Sequence, residues 1–357
     1  MRHHFLLISF LNLILFTGWG QSLPIRFDEQ QDDPEADPAF INVKVFVGES
    51  LFTIFRYTPQ MEKPVLFPVY GPNGSVITRG FPLEPRPGER VDHPHHLGMW
   101  FNYGSINGID FWNNSPAIPA VEKNKYGTVQ FQNFLTLKGG KKDGVMEYEA
   151  EWLDANSWGH VMERTKMNFS GTKNIRRINR MTTLTTGSIM DSVFIGDNKE
   201  GMLAIRMDRA FEEPVTQPEI FTDAQGKPSE VPVMNNEGVN GEYRNSNGAR
   251  GSAVWGKRAN WVALTAVKDG KKITIAMIDH PSNFGYPAHW HARGYGLFSV
   301  NNFGSKVYVP TDPDQSFVLR VGDKIILRHR IIIGEADTMT DKFLDKEFRE
   351  FSLSSGN

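Results

Sequence analysis

The chain contains no cysteine. Disulfides, thiolate catalysis, iron–sulfur clusters and cysteine-type zinc sites are therefore excluded. Neither sign of charge dominates, with 39 Lys and Arg against 41 Asp and Glu, so the sequence offers no broad basic field and nucleic-acid binding is not expected. The chain also lacks a phosphate-binding P-loop, a dinucleotide-type glycine pattern and a Gly-x-Ser-x-Gly nucleophile motif.

The amino terminus has the pattern of a secretory signal peptide over residues 1–20. A polar start at Arg2 precedes a mostly apolar run over 5–16, and Gly18 and Gly20 supply the small residues that precede cleavage. The apolar run is short for a membrane span, and no long apolar run follows it. We therefore expect a periplasmic or secreted protein without a stable membrane span after cleavage. An uncleaved anchor is the alternative interpretation.

Alternation of apolar and polar residues predicts an all-β fold for most of the chain. The acidic region within residues 21–40 is typical of a flexible lead-in. Residues 41–357 are expected to form one large antiparallel β-sandwich with a short C-terminal helix over 340–352, although two β domains are also compatible with the pattern. Four predicted hairpins have glycine in their turns, and they join the segments 41–47 and 51–57, 128–137 and 145–153, 261–267 and 273–278, and 316–321 and 324–333.

Histidine is concentrated in two short windows. Six of the eight histidines after residue 20 lie there, namely His93, His95, His96, His280, His289 and His291. Each window contains the tripeptide Asp-His-Pro. Imidazole transfers protons near neutral pH and is also a common metal ligand. The pattern thus favours a shared acid–base or metal site, whereas the simpler interpretation is that these side chains cap turns and satisfy loop backbone.

Specific roles follow from this pattern. We predict that the catalytic residues are His95, His96, His280 and His291. A divalent metal is a possible cofactor, and its candidate ligands are His93, His95 and His291. Aromatic rings interleaved with amides and carboxylates suit sugars, because rings pack on the C–H face while polar groups bind hydroxyls. The candidate substrate-binding residues are Asn102, Asp110, Trp112, Asn283, Arg293 and Tyr295. The alternative for the aromatic residues is a position in the core, and the alternative for Asp110 and Asn102 is a role in a turn.

Several motifs also resemble the bacterial "PmoA-like" family. They are Lys63-Pro to Tyr70-Gly-Pro-Asn-Gly, Asp92-His-Pro-His-His-Leu-Gly, Asn107-Gly-Ile-Asp-Phe-Trp, Asp197-Asn-Lys-Glu-Gly, Trp255-Gly-Lys-Arg, Asp279-His-Pro-Ser-Asn, Trp290-His-Ala-Arg and Tyr295-Gly-Leu-Phe. The resemblance covers residues 41 to 335 approximately. It implies an exported protein of sugar-degrading bacteria, and the family's methane-oxygenase label does not suit a chain without long apolar spans. His289 departs from the pattern, so His291 is the stronger candidate.

A more distant resemblance is to the galactose-mutarotase type of large β-sandwich, the supersandwich, in which His and carboxylate groups handle protons on a sugar. The combined interpretation is an exported carbohydrate-active enzyme that uses a His-rich pocket for acid–base chemistry on a glycoside or keto-sugar. Epimerisation, elimination and hydrolysis all fit. The alternatives are a non-catalytic glycan-binding protein and a metal-dependent oxygenase.

Overall fold

The structure, a computed structural model, describes residues 20–29 and 40–354. Residues 1–19 of the predicted signal peptide lie outside this part of the chain. The described residues form two eight-stranded antiparallel sheets, one two-stranded sheet and one α-helix. None of their helices is both long and apolar enough to cross a membrane.

Sheet 1 is an eight-stranded sheet assembled from three separate parts of the sequence. In spatial order its strands are β1 (Ile25–Glu29), β2 (Ile41–Val47), β3 (Ser50–Tyr57), β4 (Val65–Val69), β5 (Met99–Tyr103), β11 (Gly201–Arg206), β16 (Leu297–Asn301) and β15 (His289–Arg293). The last four strands in this order are β5, β11, β16 and β15. The first histidine window precedes β5 and the second includes β15, so the two windows come onto neighbouring parts of one sheet.

Sheet 2 is built mainly from the middle and the end of the chain. In spatial order its strands are β12 (Glu242–Asn245), β13 (Trp261–Lys268), β14 (Lys271–Asp279), β18 (Ile325–Glu335), β9 (Ile175–Thr186), β8 (Gly159–Gly171), β7 (Asp143–Leu153) and β6 (Thr128–Lys138). The small sheet pairs β10 (Ser192–Ile195) with β17 (Phe317–Arg320). The α-helix is α1 (Asp341–Ser352).

The two large sheets pack face to face around a continuous hydrophobic core. Alternate residues of β7 and β9 are buried, as a sheet with one covered face requires. Trp152 and Phe169 of sheet 2 belong to the same apolar cluster as Phe101 and Leu203 of sheet 1. The predicted antiparallel sandwich is therefore confirmed.

The predicted C-terminal helix is also confirmed. Thr340 caps its first turn, because its hydroxyl accepts a hydrogen bond from the backbone N–H of Phe343 at 3.3 Å. Leu344 and Phe351 are buried against Trp261 and other residues on the outer face of sheet 2. The helix thus covers the part of this sheet that faces away from sheet 1.

Two expectations about the strands differ from the structure. Three of the four predicted hairpins form, but β17 and β18 do not pair with each other. The strand β18 lies instead between β14 and β9, where most of its residues, including His329 and Arg330, are buried in the centre of the sheet. The flexible lead-in predicted for residues 21–40 is wrong for residues 25–29, which pair with β2 as β1.

Candidate active site

The outer face of sheet 1, which points away from sheet 2, forms the floor of the candidate site. Trp100 on β5, Ala204 on β11, Ser299 on β16 and His291 on β15 are successive cross-strand partners, so their side chains project from the same face. The two middle residues of this row are small. The floor is therefore bordered by a large indole at one end and an imidazole at the other.

An ion-paired Asp92 fixes the first histidine window above this floor. Its carboxylate accepts hydrogen bonds from the guanidinium groups of Arg79 and Arg206, both of which are almost fully buried. Burial raises the pKa of Asp92, but Arg206, His93 and Arg79 outweigh this effect and hold it well below its usual range. Asp92 is consequently an anion at every pH at which the protein is expected to work.

His93 is the accessible imidazole of this window. Its side chain is 39% exposed, and its Nδ1 lies 2.9 Å from Oδ2 of Asp92, although the N–H is not aligned for a straight hydrogen bond. Its φ of 43° is in the left-handed region, which is uncommon for residues other than glycine and concentrates at functional sites. The Asp92–His93 pair resembles a carboxylate–imidazole dyad, in which the anion orients the ring and leaves Nε2 for a substrate.

An aromatic stack surrounds this dyad. The His93 ring stacks on His96 and on Tyr295, with a centroid distance of 4.8 Å to each. His96 in turn stacks on Trp100 at 5.1 Å. Because Tyr295 belongs to the second window's strand pair, the stack joins the two windows directly.

Three arginines surround Tyr295. The guanidinium carbons of Arg206, Arg90 and Arg293 lie 4.8, 5.9 and 5.9 Å from the centroid of its ring. Burial raises the pKa of the Tyr295 hydroxyl, and Arg206 and Arg293 oppose that shift. The accessible edge of the site therefore combines an imidazole, a phenol and positive charge.

The more deeply buried histidines have a different electrostatic character. Burial, reinforced by Lys63, lowers the pKa of His95 to about 2, and burial together with Arg293 lowers that of His291 to about 3. Burial and the neighbouring His95 and Arg206 also place the pKa of His96 well below its ordinary value. These three rings are neutral near pH 7 and weak as bases, so they are better suited to hydrogen bonding than to proton abstraction.

Hydrogen bonds define which nitrogen of each buried ring carries its proton. Nδ1 of His291 donates to the backbone carbonyl of Lys199 at 3.1 Å, which leaves Nε2 as an acceptor. Nδ1 of His96 accepts from Arg206 at 3.1 Å, so its Nε2 carries the proton. The site therefore presents one accepting and one donating imidazole beside the dyad.

His280 and Asn283 lie away from this pocket, so the structure does not bring them together with the first histidine window. The His280 ring packs edge-on against Phe351 of α1, on the outer face of sheet 2, at a centroid distance of 5.0 Å. Asn283 donates to the Asp279 carboxylate at 2.7 Å and is buried. The second Asp-His-Pro tripeptide thus anchors a loop, since Asp279 also accepts from the backbone N–H of Ala288.

Three predicted substrate-binding residues have structural partners instead. Trp112 is fully buried, and Asn102 donates to the carbonyl of Phe111 at 2.6 Å. Asp110 is half-buried, and its carboxylate accepts from the backbone N–H groups of Trp112 and Asn113 and so holds a turn. Of the predicted substrate-binding residues, Arg293 and Tyr295 are those that line the accessible cleft.

His289 lies one row away from His291 on the same face of sheet 1. Its ring stacks on Tyr308 at 4.9 Å, and its Nδ1 donates to the carbonyl of Gly256 at 2.8 Å. These contacts place it under the loop that contains Tyr308 and not beside His93.

The candidate metal ligands do not form a ligand set in this structure. Within residues 20–29 and 40–354, no three His, Asp or Glu side chains are grouped so that they could hold a metal ion. The metal assignment to His93, His95 and His291 therefore gains no support from the geometry.

Three ionisable residues at this site lie outside the set predicted from the sequence. Lys63 is fully buried, and its amine lies 3.5 Å from the carbonyl of Trp112. Burial lowers the pKa of Lys63 to about 7, although Glu62 and Asp110 oppose the shift. Burial raises the pKa of Glu212 to about 7 against the influence of Arg206, and it raises that of Glu200, whose carboxylate lies 3.6 Å from His291. None of the three belongs to a histidine window, and Lys63 and Glu200 were notable only within resemblance motifs.

The buried Lys63 predicts an unusual dependence of stability on pH. Below pH 7 the Lys63 amine is charged in both the folded and the unfolded chain, so the folded state bears the full cost of burying that charge. Between pH 7 and about 10.4 the unfolded chain binds more protons than the folded chain, so the free energy of unfolding rises with pH. Lys63→Met is therefore expected to increase the free energy of unfolding by about 1–3 kcal/mol at pH 7 and by much less at pH 10. Urea denaturation at both pH values measures this.

The exposed Lys141 provides the control for this substitution. Lys141→Met should leave the free energy of unfolding nearly unchanged at both pH values. If Lys63→Met instead destabilises the protein equally at pH 7 and pH 10, the ammonium group is stabilising and the argument from burial is wrong.

Comparison with protein families gives one match. The profile of a family described as "Family of unknown function (DUF6807)" matches residues 42–348, which include both histidine windows. No curated protein matches the chain significantly.

Solved structures show distant likeness only. GH36 α-galactosidase AgaA from Geobacillus stearothermophilus is 12% identical with a TM-score of 0.33, and the alignment covers 87% of this chain and 41% of that one. The heparan sulfate lyase HepC from Pedobacter heparinus is 8% identical with a TM-score of 0.32, and the alignment covers 84% of this chain and 36% of that one. The protein HI1317 is 9% identical with a TM-score of 0.31, and the alignment covers 86% of this chain and 99% of that one. The chain thus spans about two fifths of the first glycosidases that it matches, and likeness at this level carries no conclusion about activity.

Proposed function

We propose that this chain, which belongs to the DUF6807 family of unknown function, is an exported carbohydrate-active enzyme that moves protons on a sugar. The observation that supports this proposal is the Asp92–His93 dyad, which lies half-exposed beside Tyr295 and three guanidinium groups. The finer assignment to the PmoA-like group and the mutarotase-type lineage belongs to the same proposal.

The arrangement favours chemistry beside a carbonyl or carboxylate group. Nε2 of His93 takes the proton from the carbon next to the C=O, and the C–H electron pair moves to the oxygen to form an enolate. Guanidinium groups near Tyr295 stabilise the negative charge that develops on this oxygen. Tyr295 and His96 supply hydrogen-bond donors at the same place.

Two outcomes complete the reaction with all atoms balanced. If an acid returns a proton to the opposite face of the same carbon, the product is an epimer. If the β-carbon instead loses its oxygen substituent, that oxygen takes a proton and the sugar keeps a new C=C bond. Hydrolysis fits less well, because it commonly uses two carboxylates that flank the bond, and of the two carboxylates that line the cleft with Tyr295, Glu213 and Glu219, the second is paired with Arg90.

Turnover in deuterated water tests the proposal. We expect the mature wild-type protein to exchange or eliminate at the C–H of methyl 3-keto-glucosides or methyl uronides, detected by NMR as loss of that proton signal, and to leave the parent glucosides unchanged. Turnover is expected to persist after chelation with EDTA. Release of methanol from the parent glucosides would indicate hydrolysis, and binding without any turnover would indicate a glycan-binding protein; either result contradicts the proposal. Loss of turnover with EDTA and its return with a divalent ion would revive the metal hypothesis.

A further inference from the structure

A cleft of about 380 Å³ adjoins the dyad. Tyr295 belongs to both places, because its ring stacks on His93 and also lines the cleft. The volume is within the range of small-molecule sites and suits one or two sugar rings. The groups that line it and carry the argument are Arg90, Glu213, Glu219, Trp255, Arg293 and Tyr295.

Arg293 is the unusual member of this set. It is half-buried, and no carboxylate of the described residues lies within 4 Å of its guanidinium group, whereas Arg90 pairs with Glu219. Its guanidinium carbon lies 5.4 Å from the centroid of the Trp255 ring. A planar cation held between two aromatic rings, without an internal anion, is prepared for a planar anion from outside the protein.

The two carboxylates of the cleft do not pair with Arg293. Glu213 lies more than 4 Å from its guanidinium group, and burial raises the pKa of Glu213. Glu219 is already engaged by Arg90. The cleft therefore combines a guanidinium group that has no carboxylate partner, the Trp255 ring beside it, and polar groups for hydroxyls.

We infer that this cleft binds the carboxylate group of a uronic acid, with Arg293 as its principal partner. The inference rests on the proposed function, because it names the substrate class of the same site. A guanidinium group matches a carboxylate through two parallel hydrogen bonds, and neutralising the carboxylate acidifies the neighbouring C–H that the dyad would attack. The occupant is thus a sugar acid and not a neutral sugar.

Calorimetric titration with methyl β-D-glucuronide and methyl β-D-glucoside, with NMR of the recovered sugar to identify any turnover, tests the inference through binding. The wild type is expected to bind the glucuronide at least about tenfold more tightly than the glucoside. Arg293→Gln should weaken glucuronide binding by at least about tenfold, and Arg293→Lys should restore part of the loss. Arg328→Gln is the matched control, because Arg328 is a half-buried cation on sheet 2 with no carboxylate of the described residues within 4 Å.

Each result has a defined meaning. Equal binding of both glycosides, equal weakening by Arg328→Gln, or equally tight binding of inorganic sulfate would overturn the inference. Circular dichroism melting of Arg293→Gln excludes loss of binding through unfolding. Selective glucuronide binding without turnover of any sugar would contradict the proposed function alone, whereas turnover of keto-glucosides without glucuronide binding would contradict this inference alone.

Discussion

His93→Asn is expected to lower kcat/KM by about 10²–10⁴-fold on any sugar that the wild type converts, because a positioned acid–base group contributes a factor of this size. Asparagine tolerates the left-handed backbone that His93 adopts at φ 43°. The free energy of unfolding should therefore change by less than about 1 kcal/mol, since the replaced side chain is partly exposed. Steady-state kinetics and urea denaturation of the same preparation measure both quantities.

His280→Asn is the matched control for this experiment. His280 belongs to the same tripeptide, Asp-His-Pro, but packs on Phe351 at the far sheet. Its replacement should leave kcat/KM within about threefold of the wild type. If the two variants lose activity equally, or if His93→Asn retains full activity, the dyad is not the acid–base centre.

Asp92→Asn is expected to lower the free energy of unfolding by about 3–5 kcal/mol, because it leaves two buried guanidinium groups without their shared anion. Activity should also fall, since the His93 ring loses the carboxylate that lies 2.9 Å from its Nδ1. Chemical denaturation gives the stability, and kinetics below the unfolding transition give the activity.

A surface ion pair calibrates the stability change. Arg56 and Glu84 lie 2.7 Å apart, and the Glu84 side chain is 53% exposed. Glu84→Gln should cost less than about 1 kcal/mol, because solvent screens an exposed pair. A loss in Asp92→Asn that is no larger than in Glu84→Gln would show that the buried charges find other compensation.

Sequence periodicity was sufficient to predict most of the sandwich. Hairpins such as β6–β7 combine regular alternation with a glycine-containing turn, so local information determines their pairing. The sequence 316–333 has the same local signals, yet β18 pairs with β14 and β9. Pairing within a buried sheet depends on contacts between distant strands, and a single turn does not reveal them.

The candidate site also depends on contacts between residues that are distant in the sequence. The tripeptide Asp-His-Pro occurs twice, but Asp92 meets two arginines from other parts of the chain, whereas Asp279 meets Asn283 and Asn302. One carboxylate consequently supports an accessible imidazole and the other closes a loop. No property of the tripeptide itself distinguishes these environments.

Burial also explains which roles were missed. The histidine density predicted a shared site, but the window residues His95, His96 and His291 are buried, and their depressed pKa values make them weaker bases than imidazole in water. A buried Lys63 looks like any surface lysine in the sequence. Its position under Trp112 depends on the path of the loop between β5 and β6.

The first strand has a consequence for association between molecules. β1 pairs along β2 and is bridged through Ile25 to Gly140 of the turn between β6 and β7. Without β1, the backbone N–H and C=O groups of β2 would form an open edge beside the buried valines Val43, Val45 and Val47. Loss of β1 would thus replace a five-residue edge strand by the seven-residue β2, a longer template for strand exchange and aggregation.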